Sequence, residues 1–143
     1  MKKLLLILLF TTTIFANNYI AKVTNIKNNI EIHSSSNTIT IAKNGDTLKV
    51  GDKIKSDKDS KVDITFEDGT LVTLGEKSLL FVDDYIYKPQ EKKYKFEVFL
   101  DKGVAVYESG KISEASPQSI EFKVPTGTIG VRGTKFLVEV TEE

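Results

Sequence analysis

The sequence predicts an all-β domain: an antiparallel β-sandwich, jelly-roll-like, of about ten short strands. Three observations carry this expectation. Apolar and polar residues alternate with a period of two, turn signals built on glycine recur at short intervals, and no sustained helical stripe follows the first 16 residues.

In chain order, Ile30-Glu31-Ile32 and Thr38-Ile39-Thr40-Ile41 are the first alternating pieces. Val62-Asp63-Ile64-Thr65-Phe66-Glu67 places three apolar side chains on one face and three polar ones on the other. Phe96-Glu97-Val98, Ile120–Val124 and Phe136–Val140 repeat the pattern. Strands of this kind bury one face and wet the other, and Val, Ile, Thr, Phe and Tyr suit the pleated surface. Between them stand Asn44-Gly45-Asp46, Val50-Gly51-Asp52, Glu67-Asp68-Gly69, Leu74-Gly75-Glu76, Asp101-Lys102-Gly103 and Ser109-Gly110. Asp-Gly and Asn-Gly supply the positive φ of tight hairpins, so Asp68-Gly69 predicts a hairpin joining Val62–Phe66 to Leu71–Leu74. Short helical turns are expected at most around Glu76–Leu80 or Glu91–Tyr94. Lys88–Lys93 reads as the loop between the two halves of the sandwich, and Ser113–Gln118, with Pro117, as a second polar loop.

The N-terminus has a different character. Met1-Lys2-Lys3, the apolar run Leu4–Phe10, Thr11–Thr13 and Ile14-Phe15-Ala16 precede the polar Asn17-Asn18. A basic start, an apolar stretch and a small residue before a polar break form the layout of a secretory signal peptide. Residues 1–16 are therefore expected to be the signal and 17–143 the mature domain, in the periplasm. The alternative is an uncleaved signal anchor in the inner membrane, although the stretch is shorter than the roughly 20 residues a spanning helix prefers. A lipoprotein cut would need a cysteine, and the chain has none.

Composition narrows the function. The whole chain has 20 basic and 20 acidic residues, and loss of Lys2 and Lys3 leaves it close to neutral. Lysines and acids are interspersed, without the basic patch a nucleic-acid binder requires, so nucleic acid is not an expected partner. Without cysteine there is no disulfide framework and no thiolate metal site.

The segment from about Ile41 to Val140 resembles the FecR domain, a periplasmic module. Three blocks carry the resemblance: Leu48-Lys49-Val50-Gly51-Asp52-Lys53-Ile54; Ser60 to Leu74 with Asp68-Gly69; and Val124 to Phe136 with Val131-Arg132-Gly133-Thr134. A Leu100…Gly103 step lies between the last two. The motif residues are thus Gly51, Asp52, Asp68, Gly69, Gly103, Arg132, Gly133 and Thr134. The resemblance implies a non-enzymatic exported module that contacts another cell-envelope protein. Sensors of the family carry a cytoplasmic anti-sigma segment and a membrane span before this domain. Here only a signal peptide is expected before it, so the module is implied without that pathway.

Individual residues support a non-catalytic reading. Gly127–Gly133 lacks the ending of a Walker loop and reads as a bend or bulge into the last strand. Arg132 has five donors, enough to pin carbonyls or a carboxylate, with Asp52 or Asp68 as partner; a ligand-facing role is the alternative. His33 is the only histidine and reads as a loop residue beside Ser34-Ser35-Ser36-Asn37. Asp57, Asp59 and Asp63 lack the glycine and distal glutamate of a calcium loop. Asp83-Asp84 could be a paired carboxylate, but nothing completes an acid–base site around it. No cofactor is implied, and no iron ligand set is visible. Among the aromatics of the middle third, Phe96 is expected in the core. Phe99 has the opposite phase, while Tyr85 and Tyr87 share a phase. Tyr85, Tyr87 and Phe99 are the candidate partner surface, with a sugar or small ligand as the alternative occupant; the competing reading is a strand buried on both sides.

Overall fold

The computed structural model describes residues 18–131 and 133–142. Among the described residues the strands are β1 (Ala21–Lys27), β2 (Ile30–His33), β3 (Ile39–Ile41), β4 (Thr47–Leu48), β5 (Lys53–Ser56) and β6 (Lys61–Phe66), followed by β7 (Leu71–Leu74), β8 (Leu79–Lys88), β9 (Lys93–Glu108), β10 (Ile120–Val124), β11 (Gly127–Gly130) and β12 (Lys135–Val140). One short helix, α1 (Lys111–Ala115), and single 3-10 turns at Pro89–Glu91 and Pro117–Ser119 complete the order. The all-β expectation holds. In place of two separate layers, one 12-stranded sheet curls around a single core as a half-barrel.

The curl depends on β9. Its first half pairs with β8 and with β10, and its second half with β7 and β12. The β9–β10 contact is parallel, whereas the other ladders among the described residues are antiparallel. One strand therefore belongs to two sheet surfaces, β12-β9-β7-β6-β1-β4 and β3-β2-β5-β8-β9-β10-β11. The Asp101-Lys102-Gly103 segment, expected as a turn, is where this strand passes from one surface to the other. Gly103 has φ +97, and a Cβ on it would lie 2.4 Å from the Ser78 Cα. The Ser78 hydroxyl accepts the Val104 N–H at 2.9 Å, and the Ser56 hydroxyl donates to the Gly75 carbonyl at 2.6 Å. These bonds seal the split that opens where β7 and β8 part along β9.

The inward-facing residues of β9 change parity across that point. Phe96, Val98 and Leu100 are buried before it, and Ala105 and Tyr107 after it. An extra residue in one strand has this effect, because side chains alternate with a strict period of two. A second irregularity in β8, between Val82 and Asp84, has the same consequence. Leu80 and Val82 point inward before it, and Tyr85 after it.

Asp68-Gly69 joins β6 to β7 as expected, with Thr65 opposite Leu71 and Gly69 at φ +87. Lys88–Lys93 does not bridge two halves: it closes the long β8–β9 hairpin, with Lys88 opposite Lys93. The polar stretch near Ser113 contains α1, whose Ile112 is fully buried. The short helical turn expected around Glu91–Tyr94 is met by the 3-10 turn Pro89–Glu91, after which Lys93 and Tyr94 already belong to β9; the one expected near Glu76 is a turn before β8. Gly127–Gly130 is itself strand β11, hydrogen-bonded along β10.

Candidate interaction surface

The motif residues build the scaffold. Asp68 is 1% exposed, and its carboxylate accepts four hydrogen bonds. Oδ1 takes the Tyr85 hydroxyl at 2.9 Å and the Thr70 N–H at 3.3 Å; Oδ2 takes the Thr70 hydroxyl at 2.7 Å and the Ile112 N–H at 3.1 Å. The Asp68 N–H in turn donates to the Tyr85 oxygen at 2.9 Å. This single side chain ties the β6–β7 turn to β8 and to α1. Gly110 lets the chain pass close by, since a Cβ there would sit 2.3 Å from the Thr70 nitrogen. Burial, and after it the Asp68 charge, push the Tyr85 phenol well above its ordinary range, so it remains a donor. The same two causes push Tyr107 up to about 12.

Asp52 plays a similar part on the other side. Its carboxylate accepts the Lys49 N–H at 2.8 Å, closing its own turn, and the Ser35 N–H at 3.3 Å, holding the β2–β3 loop. Gly51, at φ +93, packs against Ser35. Both aspartates thus bind backbone amides. Arg132, expected to pin one of them, lies outside the described residues, as does the 1–16 segment. Gly133 adopts φ +125, and the Thr134 carbonyl accepts the Ser109 N–H at 2.8 Å, leading the chain into β12.

Two of the three expected surface aromatics are displaced. Tyr85 is only 6% exposed and stacks on Phe66 at 5.3 Å. Tyr87 packs partly buried against the core, 6.2 Å from Tyr94. Phe81, Tyr85 and Tyr87 have the same parity in the sequence. The β8 irregularity leaves Phe81 outside and turns the two tyrosines inward, so they are not part of an aromatic docking face. Phe99 is on the outer face as expected. It pairs with Phe81 across β8–β9, with ring centroids 5.7 Å apart.

That outer face carries an ordered set of side chains. Cross-strand partners share a face, so the registers trace a continuous row: Ile39, His33, Lys53, Phe81, Phe99 and Lys123. A parallel row runs Ile41, Glu31, Lys55 and Leu79. Lys53 Nζ lies 4.9 Å from the centre of the Phe81 ring, within cation–π range. His33, expected in a loop, is the last residue of β2 and its Nε2 lies 2.8 Å from Glu31 Oε2.

Beyond Phe99 the face becomes ionic. Glu97 and Glu121 stand opposite each other in the parallel β9–β10 pair. Lys95 bridges them at 3.1 and 3.0 Å, and Lys123 contacts Glu97 and, at 3.5 Å, Glu121. The result is a closed, neutral ring of four side chains. Lys123 chiefly, with Lys95, holds the Glu97 carboxyl below the usual range; Lys95 does the same for Glu121. Asp83 moves the opposite way, raised by desolvation and then by Glu97, against Lys123. Alternation predicted that Phe99 faces outward, but the neighbours across the strands depend on register. Among the described residues no group of three or more His, Cys, Asp or Glu side chains is placed to hold a metal ion, and no helix is long and apolar enough to cross a membrane.

A curled β half-barrel, with the motif carboxylates Asp52 and Asp68 turned inward and an outer sheet face exposed among the described residues, defines a domain with an accessible sheet surface. The family model described as FecR protein matches residues 52–143, and the chain belongs to the FecR family. No curated protein matches it. A solved structure described as a cell surface anchoring domain is similar at 27% identity, covering 43% of this chain and 82% of that one, with a TM-score of 0.42.

Proposed function

We propose that this chain is a non-enzymatic, exported module of the cell envelope whose outer β3-β2-β5-β8-β9-β10 face docks another envelope protein. Membership of the FecR family supports the envelope setting. The observation that carries the docking face is the Phe81–Phe99 pair, half-buried on the outer face and flanked by Lys53, Lys55 and the neutral ionic ring. An apolar centre with a charged rim is the usual anatomy of a protein interface. The leader-like segment 1–16 supports export, with the mature domain in the periplasm and inner-membrane anchoring as the alternative.

Photo-crosslinking in living cells tests the reading. A photoreactive residue at Phe99 or Lys55 should yield a defined adduct with an envelope protein. The same probe at Leu137, 64% exposed on the other sheet surface, should not. Equal adducts at all three positions, or none in folded protein, would refute the docking face. Sequencing the mature N-terminus from fractionated cells decides between the cleaved and anchored forms.

A further inference from the structure

Strand β3 ends the sheet among the described residues. Ser34 N–H donates to the Thr38 carbonyl and Ala42 N–H to the Ile30 carbonyl, each at 2.8 Å. With Ile32 opposite Thr40, the bonded pairs of the β2–β3 ladder fall on alternate residues. The N–H and C=O groups of Ile39 and Ile41 therefore point away from β2, at the end of the strand order. Their side chains are 61% and 58% exposed. They face solvent because the register sets them opposite His33 and Glu31, on the outer face.

Exposed strand edges are ordinarily protected by charge, proline, bulges or brevity. Two of the other edges follow that rule, and β3 has only its brevity, three residues, for protection. Strand β12 carries Lys135 and Glu139, and β4 has two residues; β11 begins and ends on glycine. Around β3, by contrast, no residue from Ser34 to Ala42 bears a charge, in a chain where 28% of residues do. The strand also reads the same in both directions, Ile39-Thr40-Ile41. A two-fold contact needs a patch complementary to itself, and a palindromic strand meets that condition.

We infer that two copies associate by antiparallel pairing of β3 about a two-fold axis at Thr40, joining their outer faces into one continuous sheet. In this register Ile39 forms a hydrogen-bonded pair with Ile41 of the second copy, and the reverse, giving about four backbone bonds. Thr40 faces its own counterpart, and four isoleucines gather on the outer face. Asp52, by holding Ser35, sets the angle at which the β2–β3 loop presents this edge. This proposal does not depend on which protein the outer face docks.

So small a contact gives a weak dimer, and the test is designed for one. The chain, purified in the form in which cells accumulate it, should sediment with a coefficient that rises with concentration up to ~1 mM, the range of weak association. Ile39→Lys/Ile41→Lys and Ile39→Glu/Ile41→Glu should each remain monomeric with unchanged melting, since both side chains are already in water. An equimolar mixture of these two variants should restore the dimer. The chain has no cysteine, so Thr40→Cys should oxidise to a covalent dimer, while Thr38→Cys, which would face Ala42 of the second copy, should not. A wild type that stays monomeric throughout, charge variants that dimerise like it, a mixture that fails to associate, or Thr38→Cys linking as readily as Thr40→Cys would each overturn the proposal.

Discussion

Two polar networks in this domain have similar numbers of partners and opposite roles. The Asp68 cluster is buried: carboxylate, phenol, threonine and three backbone amides satisfy one another in the core. The Lys95–Glu97–Lys123–Glu121 ring is on the outer face, with its side chains between 17% and 38% exposed. A buried donor that loses its acceptor has no water to turn to, whereas an exposed pair exchanges its partner for solvent at little cost. The first network should therefore specify the fold, and the second should tune only the surface.

Mutation can break this contrast most severely at Asp68. Asp68→Ala should cost ~4 kcal/mol, because the amides of Thr70 and Ile112 and two hydroxyls lose their acceptor in a buried site; Asp68→Asn, which keeps one acceptor oxygen, should cost roughly half as much. Urea unfolding followed by circular dichroism measures both, and a loss below ~1 kcal/mol for alanine would remove Asp68 as the organising residue. Gly103→Ala comes next, at about 3 kcal/mol, since the position combines positive φ with contact against the Ser78 backbone. Its damage should be confined to the β7–β8 split, which hydrogen exchange at Val104 and Ser78 would reveal. Tyr85→Phe should cost ~1–2 kcal/mol by removing one donor and one acceptor at Asp68 while leaving the ring stack in place.

The ionic ring should show the smallest effect. Glu97→Gln is expected to change stability by less than ~1 kcal/mol at neutral pH, and less again in high salt. Its signature is pH dependence. The Glu97 carboxyl is held low by Lys123 and Lys95, so its contribution is complete above the ordinary glutamate range and is lost as pH falls through the depressed folded value. Asp83 has the reverse sign: raised in the folded state, its contribution is lost as pH rises through the raised value. Melting from pH 3 to pH 7 should therefore show a shallower acid decline for Glu97→Gln than for wild type. Identical slopes would show that the ring has no thermodynamic weight.

Much of the fold was legible in the residues. Alternation in Val62–Glu67 predicted a half-buried strand, and Val62, Ile64 and Phe66 are buried. Phe96 and Phe99 were assigned opposite faces correctly, because both lie on one side of the β9 irregularity. Tyr85 and Tyr87 were misplaced because an irregularity in β8 separates them from Phe81, and a rule of period two cannot see an inserted residue. Gly103 was misread for a related reason. Asp-Lys-Gly supplies positive φ, which serves a hairpin or a strand-internal bend equally well, and only the Ser78 neighbour distinguishes them.

The sequence by itself determined the all-β class, the Asp68-Gly69 hairpin, part of the core and the family, because each rests on local periodicity or a short run of neighbouring residues. Tertiary structure alone decided that β9 serves two sheet surfaces, that β10 joins it in parallel, and that Phe81, Phe99 and the ionic ring share one face. Those outcomes depend on pairings between distant segments and on a single-residue change of phase. Both are set by how the strands pack around a common core, and neither leaves a periodic trace in the chain.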